Sequence, residues 1–441
     1  MHHQANRRQF LRASAVVLVS GPFVSRRVLA ESKSANERLN LAIVGAANKG
    51  WHNVEQLTSE NMVALCDVDS NYLAQAATVY PKATQYRDYR KMLEAEQSKI
   101  DAVVVSTADH VHAPATAAAL DLGKHVYCEK PLTHTVKEAR VVAELAKRKR
   151  LATQMGTQIH AGTNYRRVVE IVRSGVLGKI TEVYTWCNKG WSNGKFEAWD
   201  KPVPANLDWD LWLGPAKQRP YSPNIHPANW RRFWEYGSGT FGDMACHIMD
   251  LPFWALELRH PSAVTCEGPE VDPVGTPGWV KATYEFAPSG GKSGITLYWS
   301  DGGAHFDTVS KSNDYDGKPL SDWGLGVLFV GEKGKLAADY GRWQLLPQDA
   351  FSGFKAGDPT IPDSIGHWAE WTQACKTGSP TLCNFDYSGA LSEAVLLGTV
   401  AFRAKQRLEW DAQQLKAKNC DAADQFITKE YRAGFGVVGI S

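Results

Sequence analysis

Two short segments of the sequence combine residue types that are suited to moving protons. Glu129-Lys130-Pro131 follows an apolar run, and Asp243 lies four residues before His247 in a glycine-rich segment. Since helical residues are about 100° apart, Asp243, His247 and Asp250 would share one polar face of a helix. There, His247 could exchange a proton with a hydroxyl group while Asp243 orients it. The alternative interpretation is that Asp243 only caps the helix and His247 is a buried core residue. For Lys130 the alternative is a surface turn.

A glycine turn earlier in the chain predicts a dinucleotide site. The apolar run 41–44 leads into 45–50, a G-x-G-x-x-G turn whose middle glycine is replaced by alanine. The first glycine of such a turn permits the sharp bend, the second admits the pyrophosphate, and the third lets the helix pack on the strand. The contacts predicted from this turn are Gly45, Ala47, Asn48 and Gly50.

An aspartate at the end of the next apolar run indicates which dinucleotide binds. Asp67 lies 22 residues after Gly45, where a carboxylate binds the adenosine ribose hydroxyls and repels a 2′-phosphate. The residues that follow, Val68 and Asp69, supply no arginine for such a phosphate. We therefore predict NAD rather than NADP. An aspartate that only caps the next helix is the alternative, and Asp69 could serve that purpose equally well.

The elements around these residues predict an α/β protein of two domains. Over residues 39–156, short continuous apolar runs alternate with helical patterns, which is typical of a doubly wound parallel sheet of the Rossmann type. Over residues 157–441, longer alternating runs separated by turn clusters predict an α+β domain with a large, mostly antiparallel, open-faced sheet. In this second domain a single helix is expected over residues 243–258.

Residues 1–30 have the order of a signal peptide. Arg7 and Arg8 precede a modest apolar stretch, and small residues follow at 28–30. The paired arginines are typical of a twin-arginine (Tat) signal, which predicts export of the folded protein to the periplasm, with residues 31–38 as a linker. A disordered basic tail is the alternative.

The remaining composition limits the possible partners. Residues 1–30 hold five arginines and no acid, which leaves 44 basic against 47 acidic residues in the rest of the chain. A mildly acidic body argues against nucleic acid as a partner.

Because no apolar run reaches eighteen residues, we expect no membrane insertion after the signal is removed. The eight cysteines form no C-x-x-C pair, so most are expected to be buried thiols, and we predict no metal site.

Taken together, the motifs resemble the Gfo/Idh/MocA family of oxidoreductases, which includes glucose–fructose oxidoreductase and inositol dehydrogenase. The matching segments are 44–50, 101–112, 123–131 and 237–250, and the resemblance extends over about residues 39–410. It implies that Lys130, His247 and Asp243 are catalytic. Further contacts with the nicotinamide half of the cofactor are implied for Thr107, His110, His112, Glu129 and Lys130.

The resemblance also indicates where a substrate would bind. Family members contact substrate in the crossover that holds His160, Tyr165 and Arg166. Trp230 and Arg231 could stack on a sugar ring and donate to its hydroxyl groups, although core packing or a surface salt bridge would explain each of these residues equally well. Asp243 and His247 complete the predicted substrate contacts.

These observations predict an oxidoreductase that transfers a hydride between a sugar or polyol and a tightly bound NAD. Tight binding is expected because a periplasm has no NAD pool. The alternative is an NAD-dependent glycoside hydrolase that uses transient oxidation and elimination, and a less favoured one is a non-catalytic sugar-binding protein. The exposed face of the second sheet suggests a homodimer or homotetramer.

Overall fold

The computed structural model describes residues 38–197, 201–288 and 293–440. The predicted signal peptide, residues 1–30, and all but the last residue of the predicted linker lie outside the described residues. Within the described part, two sheets carry the architecture, and the cleft between them holds most of the candidate residues.

The first sheet is parallel and has six strands in the order β3-β2-β1-β4-β5-β6. All four residues of β4 and four of the five in β1 are buried, because helices cover both faces of the sheet. This confirms the predicted Rossmann domain. The strands are β1 (Asn40–Val44), β2 (Asn61–Cys66), β3 (Thr84–Tyr86), β4 (Ala102–Val105), β5 (His125–Cys128) and β6 (Thr153–Met155).

Five helices connect these strands, and several begin at residues that suit a helix N-terminus. The side chains of Asp69 and Asp88 accept hydrogen bonds from the first turns of the second and third helices, and Thr135 forms a capping box with Glu138 at the fifth. The helices are α1 (Lys49–Gln56), α2 (Ser70–Val79), α3 (Tyr89–Glu96), α4 (Asp109–Asp121) and α5 (Val136–Lys149).

The second sheet has nine strands in the order β13-β12-β11-β7-β10-β9-β8-β14-β15. Its central pair, β7 with β10, is parallel and the other pairs are antiparallel, which confirms the predicted mostly antiparallel sheet. The strands are β7 (Ile180–Cys187), β8 (Ala263–Glu267), β9 (Lys281–Phe286), β10 (Ile295–Asp301), β11 (Leu325–Gly331), β12 (Gly334–Ala338), β13 (Trp343–Leu346), β14 (Leu408–Asp411) and β15 (Lys416–Ala417).

Helices of the second half of the chain join the two sheets. One of them, Phe385–Ala404, is buried along most of its length, and its Glu393 pairs with Arg140 of α5 at 2.7 Å. Another, His367–Thr377, packs Trp371 against Tyr127 of β5. The helices are α6 (Thr163–Arg173), α7 (Trp209–Leu213), α8 (Cys246–Ile248), α9 (Asp250–Leu256), α10 (Asp307–Ser310), α11 (His367–Thr377), α12 (Phe385–Ala404) and α13 (Asp424–Ile427).

The second sheet carries a separate aromatic and aliphatic cluster, in which Val309 of α10 and Trp323 pack on side chains of the strands such as Tyr184, Trp186 and Leu328. None of the helices in the described residues is both long and apolar enough to cross a bilayer. The eight cysteines all lie in the described part as free thiols, and seven of them are buried, as the sequence predicts.

Candidate active site

A cavity of about 570 Å³ lies at the carboxyl ends of the parallel strands, and the second domain lines its other side. It extends from Asp67 after β2 to Lys130 after β5, and its second-domain wall includes Trp230, Asp243 and His247. β1 and β4 are neighbours in the sheet, but the chain continues from β1 to β2 on one side and from β4 to β5 on the other. Open α/β sheets bind ligands at the crevice beside such a reversal of strand order.

The turn after β1 requires glycine at its first and last positions. Gly45 has a φ of 85°, and a Cβ there would lie 2.7 Å from the carbonyl oxygen of Ser106. A Cβ on Gly50 would lie 1.9 Å from the carbonyl oxygen of Gly45. Ala47 and Asn48 line the cavity beside this turn, so the alanine at the middle position is compatible with an open site.

Gly50→Ala is expected to weaken NAD binding by about a hundredfold, because the methyl group displaces the turn that approaches the pyrophosphate. Titration of tryptophan fluorescence with NAD measures this loss, and thermal unfolding shows whether the variant still folds. Ala47→Gly is the matched control in the same turn, and it should bind NAD at least as well as the unchanged chain. Equal affinity of the Gly50→Ala variant and the unchanged chain would contradict the assignment.

Asp67 is held in place by the backbone. Its carboxylate accepts hydrogen bonds from the N–H groups of Ala46, at 2.8 Å, and Asp69, at 2.9 Å. Burial raises the pKa of Asp67 to about 6, against the effect of these two donors. Asp69 caps α2 through the N–H of Asn71, so the helix cap does not account for Asp67.

An arginine that is distant from Asp67 in sequence lies near it in the structure. The residues directly after β2, Val68 and Asp69, gave no sign of it. Arg87 follows β3 and lines the same end of the cavity. Its Nη2 donates to the carbonyl oxygens of Val68, at 2.5 Å, and Asn206, at 3.1 Å. Nη2 is therefore held by backbone oxygens, while Nε is buried without a partner among the described residues. The preference for NAD over NADP rests on the Asp67 carboxylate, which repels a 2′-phosphate.

Glu129 occupies the middle of the cavity wall and is fixed by neutral donors. Asn53 Nδ2, Gln158 Nε2 and Tyr127 OH donate to its Oε1 at 3.0, 3.2 and 3.3 Å. Its Oε2 is buried and has no partner among the described residues. A buried carboxylate oxygen usually has a donor, and a ribose hydroxyl group would supply one. Together with the glycine turn and Asp67, this unpartnered oxygen fits a bound dinucleotide.

Lys130 and Asp243 form an ion pair at the far end of the cavity. Lys130 Nζ donates to Asp243 Oδ1 at 2.9 Å and to the Asp243 carbonyl oxygen at 2.7 Å. Trp191 Nε1 donates to Asp243 Oδ2 at 2.7 Å, and Arg231 Nε lies 3.7 Å from Oδ1. Although burial raises the pKa of Asp243, the charges of Lys130 and Arg231 outweigh it and hold that pKa well below its ordinary value.

The helix that carries Asp243 is irregular. Residues Phe241–Ala245 form a π-helical turn, and α8 and α9 follow it as two short helices. The prediction of one regular helix with Asp243, His247 and Asp250 on a single face is therefore wrong, because a π turn changes the angle between successive residues. Asp243 and His247 line the cavity, whereas Asp250 is fully buried and bonds His160 Nδ1 at 2.9 Å.

His247 is a neutral base in this environment. Burial, followed by the positive charge of Lys130, lowers its pKa well below the ordinary value. Its carbonyl oxygen accepts a hydrogen bond from the Tyr165 hydroxyl at 3.3 Å, which anchors the backbone of α8. The lowered pKa keeps the imidazole unprotonated but also weakens it as a base, so proton transfer from a hydroxyl group requires Lys130 to stabilise the negative charge on the same oxygen.

The other predicted contacts divide into two groups. Thr107, His110, Trp230 and Arg231 line the cavity, and the Arg231 guanidinium lies 4.0 Å over the Trp230 ring. His112 is buried behind the wall, with its ring nitrogens 2.7 Å from the Pro131 carbonyl oxygen and 3.0 Å from that of Thr107. It therefore joins the segments that carry Thr107 and Lys130.

The structure does not bring His160, Tyr165 and Arg166 to the cavity wall. His160 is paired with Asp250, Tyr165 bonds the backbone of His247, and Arg166 Nη2 pairs with Glu370 at 2.6 Å. They lie behind the wall, where these partners hold one nitrogen of His160, the hydroxyl group of Tyr165 and one nitrogen of Arg166. A role in positioning His247 is thus better supported for Tyr165 than a direct contact with substrate.

Sequence reasoning also missed site residues that depend on distant parts of the chain. Trp191 lies in a loop without periodicity, and no local pattern marks it. Asp109 belongs to the matching segment 101–112, and it is fully buried with an Oδ1 that lies 3.4 Å from Arg231 Nη2. Burial raises the pKa of Asp109 to about 6, against the charges of Arg231 and Lys130.

Comparison with known families supports the division of the chain. Residues 39–157 match a model described as an oxidoreductase family, NAD-binding Rossmann fold. Residues 161–297 match the model of an oxidoreductase family, C-terminal alpha/beta domain.

Known proteins resemble this chain in sequence or in fold. A glycosyl hydrolase family 109 protein of Shewanella sp. (strain ANA-3) is 27% identical over 207 residues, which cover 40% of this chain and 45% of that protein. An alpha-N-acetylgalactosaminidase of Shewanella oneidensis is 26% identical with the same coverage. The chain thus spans less than half the length of these curated relatives.

Solved structures show the fold over most of the chain. GenD2 from gentamicin A biosynthesis, in complex with NAD, has a TM-score of 0.59 at 19% identity and covers 89% of this chain and 100% of its own. The aldose–aldose oxidoreductase from Caulobacter crescentus, complexed with glycerol, has a TM-score of 0.57 at 16% identity, with 85% and 100% covered.

Proposed function

Because the chain belongs to the Gfo/Idh/MocA family of NAD-binding oxidoreductases, we propose that it transfers a hydride between a sugar or polyol and NAD. The observation that carries this proposal is the meeting of Lys130, Asp243 and His247 at one end of the cavity whose other end holds the glycine turn and Asp67. Bound NAD supplies the hydride chemistry, and the protein supplies position and charge. Gly45, Ala47, Asn48, Asp67, Thr107 and Glu129 line the cavity and would hold it, whereas Gly50 lies behind the wall and would keep the turn in shape.

The three residues at the reacting end have separate tasks. The neutral imidazole of His247 takes the proton of the substrate hydroxyl group. Lys130 donates a hydrogen bond to the same oxygen and stabilises the negative charge that develops there. Asp243 keeps the Lys130 ammonium in place through its two acceptor oxygens, at 2.7 and 2.9 Å.

Trp230 and Arg231 would orient the substrate. A tryptophan ring suits the apolar face of a sugar, and a guanidinium suits its hydroxyl groups. The stacking of Arg231 on Trp230, and its position between Asp109 and Asp243, hold the guanidinium at the cavity wall. This supports a polyhydroxylated substrate.

A glycoside hydrolase is the second candidate, and the similarity to the Shewanella relatives favours it. Such a reaction is redox-neutral overall, so it would need the same base, His247, and the same ammonium, Lys130, at the sugar ring. The hydrolase would need in addition a base for the acidified C–H next to the oxidised carbon and an acid for the departing glycosidic oxygen. The two candidates therefore share the oxidation step and differ in the steps that follow it.

A panel of sugars, polyols and aryl glycosides separates these candidates. With NAD-loaded protein, an oxidoreductase produces reduced nicotinamide, which is read by absorbance, together with an oxidised sugar. A hydrolase releases the phenol without net reduction of the cofactor. Saturable sugar binding that is indifferent to Lys130→Ala and His247→Ala, with neither product, would overturn both and leave a sugar-binding protein.

Export and self-association also belong to the proposal. The twin arginines Arg7 and Arg8 support export to the periplasm through the Tat route. Half-exposed side chains along β9, among them Thr283 and Glu285, leave part of one face of the nine-stranded sheet open and support a homodimer or homotetramer.

A further inference from the structure

The Asp67 end of the cavity is lined in part by segments outside the Rossmann domain. Leu211, Trp212 and Phe435 line the cavity there, opposite Val68 and Tyr89. We call residues 206–212 the strap and residues 429–435 the C-terminal tail. Neither segment belongs to the parallel sheet that forms the floor of the site.

The strap is tied to the loop that follows Asp67. The N–H of Ser70 donates to the carbonyl oxygen of Asn206, and the N–H of Asp208 donates to that of Val68, both at 2.9 Å. These bonds make a short antiparallel pairing between the two domains. Asn206 Nδ2 also donates to Asp69 Oδ2 at 2.7 Å, so side chains reinforce the backbone contact.

The C-terminal tail forms hydrogen bonds with the strap and with the residues that follow it. Arg432 donates to Asp210 Oδ1 at 2.5 Å and, through Nε, to the carbonyl oxygen of Gly214 at 2.8 Å. Arg90 of α3 donates to the carbonyl oxygen of Gly434 at 2.8 Å and lies 3.8 Å over the ring of Phe435. Phe435 itself is only 5% exposed. The tail therefore connects the strap to a helix of the Rossmann domain.

We propose that the strap and the C-terminal tail enclose the adenosine half of NAD, so that the cofactor stays bound between turnovers. A ribose bonded to Asp67 lies at this end of the cavity, and its exit requires these segments to separate. Separation breaks several hydrogen bonds and exposes Phe435, so it slows the dissociation of the cofactor. This inference rests on the proposed function only in requiring NAD to bind in the cavity.

Exchange of the cofactor tests the proposal without any substrate. The purified full chain is loaded with radiolabelled NAD and diluted into excess unlabelled NAD, and the label that stays with the protein is followed over time. We expect a half-life of many minutes, and exchange at least about tenfold faster in Phe435→Ala and in Arg432→Ala. Phe435→Leu provides a milder change if the alanine variant unfolds on heating.

Arg342→Ala is the matched control. Arg342 pairs with Asp339 at 2.7 Å and lies 3.7 Å over the ring of Trp323. Because these residues are far from the strap in sequence, the Arg342→Ala substitution should leave the rate of NAD exchange unchanged. Exchange of the unchanged chain within seconds, or equal rates in the tail variants and the unchanged chain, would overturn the proposal. Failure of the proposed hydride transfer would appear in the substrate panel and would leave these exchange rates unaffected.

Discussion

Lys130→Met is expected to lower kcat by about a thousandfold while NAD stays bound. Methionine keeps the length of the aliphatic chain but loses the ammonium that donates to Asp243 and to the substrate oxygen. Lys130 is part-buried and makes two hydrogen bonds to Asp243, so water cannot readily take its place. Single-turnover reduction of bound NAD measures the loss of rate, and nucleotide released on denaturation measures the cofactor.

Lys189→Met is the matched control for this variant. Lys189 Nζ lies 4.0 Å from Asp243 Oδ2, so both lysines neighbour the same carboxylate, but the Lys189 side chain is 62% exposed. Its replacement should change kcat by no more than about twofold, because exposed ion pairs contribute little. A Lys130→Met variant that retained a tenth of the activity would refute the role given to Lys130.

The parts of the fold that sequence predicted are those in which local pattern and burial agree. Four buried residues in β4 can only belong to a strand covered on both sides, and the run is visible as Ala-Val-Val-Val. The position of Asp67 was predictable because the turn, one short helix and one strand separate it from Gly45 along the chain. Such features depend on neighbours in sequence.

The parts that were missed depend on contacts between distant segments. Trp191 is 52 residues from Asp243, whose carboxylate it holds, and Arg231 is 122 residues from Asp109. A π turn changes which side chains share a face, and the spacing of Asp243, His247 and Asp250 along the sequence does not reveal it. His160 illustrates the opposite error: its type suited a substrate contact, but the buried Asp250 already occupies its Nδ1.

Asp243→Asn is expected to reduce kcat by about a hundredfold and to lower the free energy of unfolding at pH 7 by about 2 kcal/mol. The amide keeps an acceptor oxygen but removes the negative charge that faces Lys130 and Arg231. These two cations at the cavity wall then lose the carboxylate that they share. Catalysis suffers because Lys130 is no longer held in one position. Urea unfolding and single-turnover rates, both with saturating NAD, measure the two effects.

The pH dependence of this stability difference follows from the direction of the shift. Since the pKa of Asp243 in the folded protein lies below its ordinary value of 3.8, its contribution to stability is complete above that value. The contribution declines as the pH falls from there toward the folded pKa, so the gap between Asp243→Asn and the unchanged chain should narrow at pH 3. Asp307→Asn, which breaks an exposed pair with Lys311, should show no such gap at pH 7. An Asp243→Asn variant as stable as the unchanged chain at pH 7 would show that Lys130 is not held by this carboxylate.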